Sequence, residues 1–276
     1  MDPVIIGIIG SIAFIVFLLM GIPLSFTMGF LGFIGFALLV SLEAAVGKLA
    51  LVPVEVFMDY NFAVIPAFIF MAHIFNQAGF GSNLFDICEK WLGSLRGGIG
   101  MATVVACAIF AAVSSSSVAT VATIGMVAVP EMLKRKYEPG FAGATVSAAG
   151  SLGVLIPPSG VLILYGIMTE QSIKDLFIAG IVPGILLTIV LMLTISILCW
   201  RNPDIAPVVS KYTLIEKIKS LVGLGDVILV ILLSIGGLFA GLFTPTEAGA
   251  AGASATLLVA LLRRRMTWEK FFKAVK

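Results

Sequence analysis

The chain has 276 residues, 60% of them hydrophobic and 12% charged, with a formal net charge of +2 and a mean hydropathy of +1.15. A soluble domain carries about 25% charged residues, so too little charge is present to coat a water-facing surface of this size. The balance excludes a soluble globular enzyme, gives no reason to expect a nucleic-acid partner, and points to an all-α polytopic membrane protein.

Taken in chain order, the first apolar stretch covers 4–21. It has no basic start and no small-residue cleavage site, and a second apolar stretch follows at 23–41, so a membrane helix is expected there and not a secretory signal. Gly21-Ile22-Pro23 marks a tight turn between them. Residues 43–60 carry Glu43, Lys48, Glu55 and Asp59 among apolar residues and read as an amphipathic segment on the membrane surface. A helix near 61–79 comes next, bracketed by Asn61, Asn76 and Gln77. It contains His73, the only histidine, for which packing or an interface role is the plainer reading and substrate contact the sharper one.

Basic residues then set the topology. They fall in four clusters: Lys90 and Arg96; Lys134, Arg135 and Lys136; Arg201, Lys211, Lys217 and Lys219; and Arg263, Arg264 and Arg265. Positive-inside reasoning places all four in the cytoplasm. Residues 97–133 are apolar yet basic at both flanks, so one crossing would put a basic cluster outside. Two crossings satisfy the rule, but each arm is then only about 15 residues, short for a span. The segment is therefore expected to be a re-entrant hairpin that enters and leaves on one side, with Ser114-Ser115-Ser116-Ser117 at its tip; an ordinary two-helix hairpin with a polar outer turn is the alternative. Further spans are expected near 141–167, 177–200, 226–241 and 247–262. The total is about seven transmembrane helices plus one hairpin, with the N-terminus outside and the C-terminus inside. The organisation read from this is 1–96 scaffold-like helices and linker, 97–175 a hairpin (97–133) with a broken helix (141–167), 176–225 a span and cytoplasmic linker, and 226–276 a further segment.

Two patches interrupt apolar sequence. The first is Ser114 to Ser117, followed by Thr120 and Thr123. Serine hydroxyls can cap the helix after them, and a helix start within a membrane presents free N–H groups and a positive end suited to a carboxylate. The second patch runs from Gly150-Ser151-Leu152-Gly153 to Ile156-Pro157-Pro158-Ser159-Gly160. Adjacent prolines remove backbone donors and turn the preceding residue away from helix, so freed carbonyls need a partner, and a cation is one candidate. A kinked helix packed by small residues is the structural alternative. Hydroxyls and carbonyls of facing broken helices suit sodium, as in ion-coupled transporters. The candidate substrate-binding residues are Ser114, Ser115, Ser116, Ser117, Pro158 and Ser159. The candidate sodium ligands are Ser115, Ser116, Gly150, Gly153 and Pro157.

Other features read as structural. Cys88, Cys107 and Cys199 form no disulfide or metal spacing and are expected to be buried small hydrophobes. Glu247 is expected to start a helix capped by Thr244 or Thr246. Glycines 237, 241, 249 and 252 are expected to permit close helix packing. No hydrolytic constellation is present, so no enzyme is expected.

These residues, taken together, resemble a known family: the large membrane subunit of tripartite ATP-independent periplasmic (TRAP) transporters, the DctM-like permeases. The resemblance is carried in order by Gly21-Ile22-Pro23, Ile65-Pro66-Ala67-Phe68, Leu92-Gly93-Ser94-Leu95-Arg96-Gly97-Gly98, Phe110 to Thr120 around the serines, Tyr137-Glu138-Pro139-Gly140-Phe141, Gly153 to Ser159, and Gly241 to Ala248. It implies a sodium-coupled secondary transporter importing organic acids (dicarboxylates, keto acids or sialic-acid-like substrates) across a bacterial or archaeal cytoplasmic membrane by an elevator motion. It also implies two partners, a small DctQ-like membrane subunit and an extracytoplasmic DctP-like binding protein. In the family a serine-rich hairpin tip normally includes a glycine where Ser115 stands here. Members are also longer, with a second hairpin and second broken helix, so this chain is expected to cover the first of two inverted repeats and the start of the second, with a C-terminal half missing. An inactive structural fragment of such a permease, or less readily a channel, are the other readings.

Overall fold

The computed structural model describes residues 3–207 and 212–275; Lys211, counted in the third basic cluster, lies outside them. The described chain is all-α and forms two compact units, Met1–Tyr60 and Asn61–Lys276. It is a multi-pass membrane protein by the length and apolarity of its helices.

The first unit holds α1 (Pro3–Leu19), α2 (Leu24–Leu39) and α3 (Leu42–Met58). Gly21, at φ +78, makes the left-handed turn that returns the chain, and Pro23 precedes α2. Phe17 and Phe30 stack across this turn with centroids 6.1 Å apart. Ser41 caps α3 by accepting the Ala44 N–H at 3.1 Å. Ile8, Ile12, Phe26 and Phe30 are exposed, an arrangement stable only where lipid replaces water.

The second unit runs through α4 (Val64–Gln77), α5 (Phe80–Leu92), α6 (Gly98–Ser114), α7 (Ser117–Lys134), α8 (Pro139–Gly150), α9 (Leu152–Leu155), α10 (Gly160–Met168) and α11 (Ile173–Arg201). Then come α12 (Leu214–Ile231), a π turn (Leu232–Gly236), α13 (Gly237–Phe239), α14 (Pro245–Leu262) and α15 (Trp268–Val275). Helix α6 is its centre. Ile99, Ala102, Val104, Cys107, Phe110 and Val113 are all buried, walled in by α5, α7, α8 and α11. Close approach follows from small residues: a Cβ on Gly100 would sit 3.3 Å from Ile195 of α11. Phe75 of α4 joins this core, tilted against Phe80 at 4.9 Å and edge-on to Phe110 at 5.7 Å. Opposite, α14 lies on α4. A Cβ on Gly249 would meet Ala67 at 2.9 Å, and one on Gly252 would meet Ser234 Cβ at 2.8 Å. Gly241 serves a turn instead, at φ +75 with nothing crowding it but Lys174 Nζ. Thr244 caps α14 with Glu247 in a reciprocal box, Glu247 accepting the Thr244 N–H at 2.8 Å. Cys88, Cys107 and Cys199 are buried and unpaired.

Short, amphipathic α5 gathers three of the four basic clusters. It carries Lys90 of the first. Its buried Glu89 pairs with Arg135 of the second and accepts the Tyr212 hydroxyl at 2.6 Å. Arg265 of the fourth lies 5.4 Å from the centre of the Phe80 ring.

Among the described residues, five helical runs are long and apolar enough to cross a membrane: 117–134, 139–168, 173–201, 214–239 and 245–262; counting 42–58 with 60–77 as one broken span gives six. The expected seven is a higher count. It treated residues 4–22, 24–42 and 61–79 as full spans, but those helices hold 17, 16 and 14 residues, at most about 25 Å at 1.5 Å per residue against a hydrocarbon core of about 30 Å, and it counted 117–134 as a hairpin arm. The hairpin arms are longer than the sequence implied, at 17 and 18 residues.

Candidate functional site at the hairpin tip

Two residues reverse the chain between α6 and α7. Ser115 ends α6 in the left-handed region (φ 56, ψ 6), and Ser116 is extended (φ −140, ψ 124) and caps α7, its hydroxyl accepting the Ala119 N–H at 3.3 Å. Ser114 is held within the turn: its hydroxyl lies 2.9 Å from Thr120 Oγ1, which itself donates to the Ser116 carbonyl at 2.8 Å. The four serines are thus unequal. Ser114 and Ser116 build the turn, while the buried hydroxyls of Ser115 and Ser117 have no hydrogen-bond partner. An orphaned buried hydroxyl costs about 1–3 kcal/mol, a cost a ligand would remove.

The broken helix meets this tip. Its unwound stretch is shorter than the sequence indicated. Gly150 ends α8, a turn residue at Ser151 leads into the single turn α9 that holds Gly153, and Ile156 to Ser159 leave the helix before α10. Pro157 and Pro158, joined by a cis peptide bond, are buried there. Ser159, fully buried, caps α10 by accepting the Leu162 N–H at 3.4 Å. The Gly160 N–H, next in line, donates to the Ser115 carbonyl at 3.3 Å. The positive starts of α7 and α10 therefore meet at Ser115, where α6 also ends; the two starts suit an anion and the negative end of α6 suits a cation.

Glycines allow this contact. A Cβ on Gly153 would lie 2.8 Å from the Ser117 nitrogen, and one on Gly150 would come to 2.0 Å from the Val121 side chain. Behind the break, a Cβ on Gly180 of α11 would fall 2.7 Å from the Leu155 carbonyl oxygen. The structure thus brings Ser114 to Ser117 together with Gly150, Gly153 and Ser159, with Gly150 and Gly153 as surfaces of close approach.

A cavity of about 390 Å³ opens at the tip, lined by Ser114, Ser115, Ser116 and Gly160 on one side and by Phe68 and His73 of α4 on the other. A smaller cavity of about 170 Å³ shares His73 with it and extends to Thr123 and Lys273. Sequence reasoning favoured a packing or interface role for His73 and passed over Lys273. Nothing in the α15 sequence distinguishes Lys273 from an ordinary charge on an amphipathic helix, since its approach depends on α15 packing beside α4.

Comparison with known proteins points to one family. The model of the family described as "Tripartite ATP-independent periplasmic transporter, DctM component" matches residues 11–276. The C4-dicarboxylate TRAP transporter large permease protein DctM of Pseudomonas aeruginosa is 39% identical over 219 residues, covering 79% of this chain and 50% of that protein. The ectoine/5-hydroxyectoine TRAP transporter large permease protein UehC of Ruegeria pomeroyi is 33% identical over 90% of this chain and 58% of its own. The sialic acid TRAP transporter large permease protein SiaM of Vibrio cholerae is 31% identical over 79% and 51%. The chain spans about half the length of the curated relatives it matches.

Proposed function

The chain belongs to the DctM family of tripartite ATP-independent periplasmic transporter components, and from that premise we propose that it forms part of a sodium-coupled permease for organic acids, with the serine tip and the α8–α10 break as one ion and substrate half-site. The observation that carries this reading is the pair of orphaned hydroxyls, Ser115 and Ser117, beside two converging helix starts. Hydroxyl and carbonyl oxygens are hard, neutral donors that suit sodium. A carboxylate in the tip cavity would face the positive ends of α7 and α10. The ion would offset the cost of carrying a charged substrate through the barrier, so the loaded tip could move as part of an elevator.

On this reading the permease works with a small DctQ-like membrane subunit and receives substrate from a DctP-like extracytoplasmic binding protein. It lies in the cytoplasmic membrane with its N-terminus outside and its C-terminus inside. The relatives' names cover dicarboxylates, isethionate, sialic acid and ectoine, and an anionic carboxylate or sulfonate group is the chemistry shared by those ligands. In proteoliposomes containing the assembled transporter and its binding protein, succinate or sialic acid uptake should require a sodium gradient. Replacing Ser115 and Ser117 together with alanine should weaken the sodium dependence at least ten-fold. Uptake that proceeds equally in potassium, unchanged by the double substitution, would refute the proposal.

A further inference from the structure

We infer that the smaller cavity behind the tip is a second anion subsite, in which a substrate carboxylate rests on Lys273 and Thr123 after leaving the serine tip; this rests on the organic-acid reading above. Three observations place it. Thr123 is 5% exposed and its hydroxyl has no hydrogen-bond partner, so a buried donor waits for an acceptor. Lys273 lines the same cavity of about 170 Å³ and is the one Lys, Arg, Asp or Glu among its described lining residues, which also include Asn76 and Gln77. His73 lines both cavities, so the two adjoin.

The Lys273 ammonium is bonded to Glu269 Oε1 at 2.7 Å, one turn back on α15. Both side chains are exposed, at 60% and 78%. Such a pair is weak, and an ammonium has three donors, so the amine can hold a carboxylate without first breaking a strong contact. The tip presents only hydroxyls and helix ends to the anion, whereas the smaller cavity presents the Lys273 ammonium, its charge shared with Glu269. An anion released when sodium leaves the tip therefore has a nearby ammonium donor to rest on. Thr123 lies two turns along α7 from the tip, so the path follows that helix toward its basic end at Lys134.

His73, the only histidine, gives a clean reporter. The chain, purified in lipid nanodiscs with ¹⁵N-histidine, is titrated with succinate in sodium-free buffer while the His73 ring resonances are followed. A saturable shift is expected, and neutral succinamide should produce none. The apparent affinity should fall about ten-fold in Lys273→Gln, the usual effect of removing one charge-assisted contact, and several-fold in Thr123→Val. It should persist in Ser115→Ala/Ser117→Ala. No shift in the wild type, or equal titrations in wild type, Lys273→Gln and Thr123→Val, would overturn the inference. A shift lost in the serine variant but intact in Lys273→Gln would assign the anion to the tip alone and overturn it while leaving the tip reading standing. A Lys273-dependent shift without any sodium-dependent uptake would support this subsite and count against the tip reading.

Discussion

Ser115 concentrates the conflict between backbone and ligand. Its φ of 56 lies in the region that glycine occupies freely and other residues at a cost of about 1 kcal/mol. The family resemblance read from the sequence noted glycine at this place in the tip, and the geometry supplies the reason, since α6 must end in a left-handed residue for Ser116 to start α7. Serine therefore retains a hydroxyl at the expense of a strained backbone. Ser115→Gly should raise thermal stability in detergent by about 1 kcal/mol while reducing sodium affinity. A variant no more stable than the parent would show that the strain is absent. The unequal roles of the four serines were not legible in the sequence, where they are identical neighbours. Only the reversal of the chain decides that Ser114 faces Thr120 while Ser117 faces the break.

Among elements, the decisive contact is that of the hairpin with the broken helix. The position of the break near two prolines was readable from backbone chemistry alone, because neither proline can donate to a helix. Its length was not. Gly150 and Gly153 look like helix breakers in sequence, yet both sit in helical turns, because their missing side chains are used for approach to α7. Replacing Gly153 with alanine would drive a Cβ to within 2.8 Å of the Ser117 nitrogen, a backbone atom that cannot turn aside. The expected loss is about 1–3 kcal/mol of stability, with sodium dependence weakened as well. Gly143→Ala, on an exposed part of α8 with nothing within 4 Å, should be neutral or slightly stabilising by helix propensity. Equal melting temperatures for the two variants would argue against a tightly docked tip.

For the whole molecule, composition settled the membrane class, and the basic clusters gave a topology that no single helix could. The structure adds that Arg135, Tyr212 and Arg265 all reach α5, so separate stretches of basic sequence meet at one amphipathic helix. The number of spans was less legible, because hydropathy marks apolar length while the ends of α1, α2 and α6 are set by turns and caps. The hairpin reading is testable by side-specific labelling with an impermeant maleimide. Cysteines placed at Arg96 and Lys136 should react from the same face of the membrane, and one at Glu170 from the opposite face. Cys88 should stay silent near neutral pH, since burial pushes its thiol up to about 12 and the reactive thiolate is scarce below that. Labelling of the Arg96 and Lys136 positions from opposite faces would replace the re-entrant hairpin with a single crossing.

The most direct test of the central claim is site-resolved hydrogen exchange of the chain in lipid nanodiscs, compared in sodium and in potassium. If sodium binds between the serine tip and the break, exchange should slow selectively in residues 114–120 and 156–162, and Ser115→Ala/Ser117→Ala should abolish the difference. Identical exchange in the two salts, or protection confined to helices remote from the tip, would contradict the account.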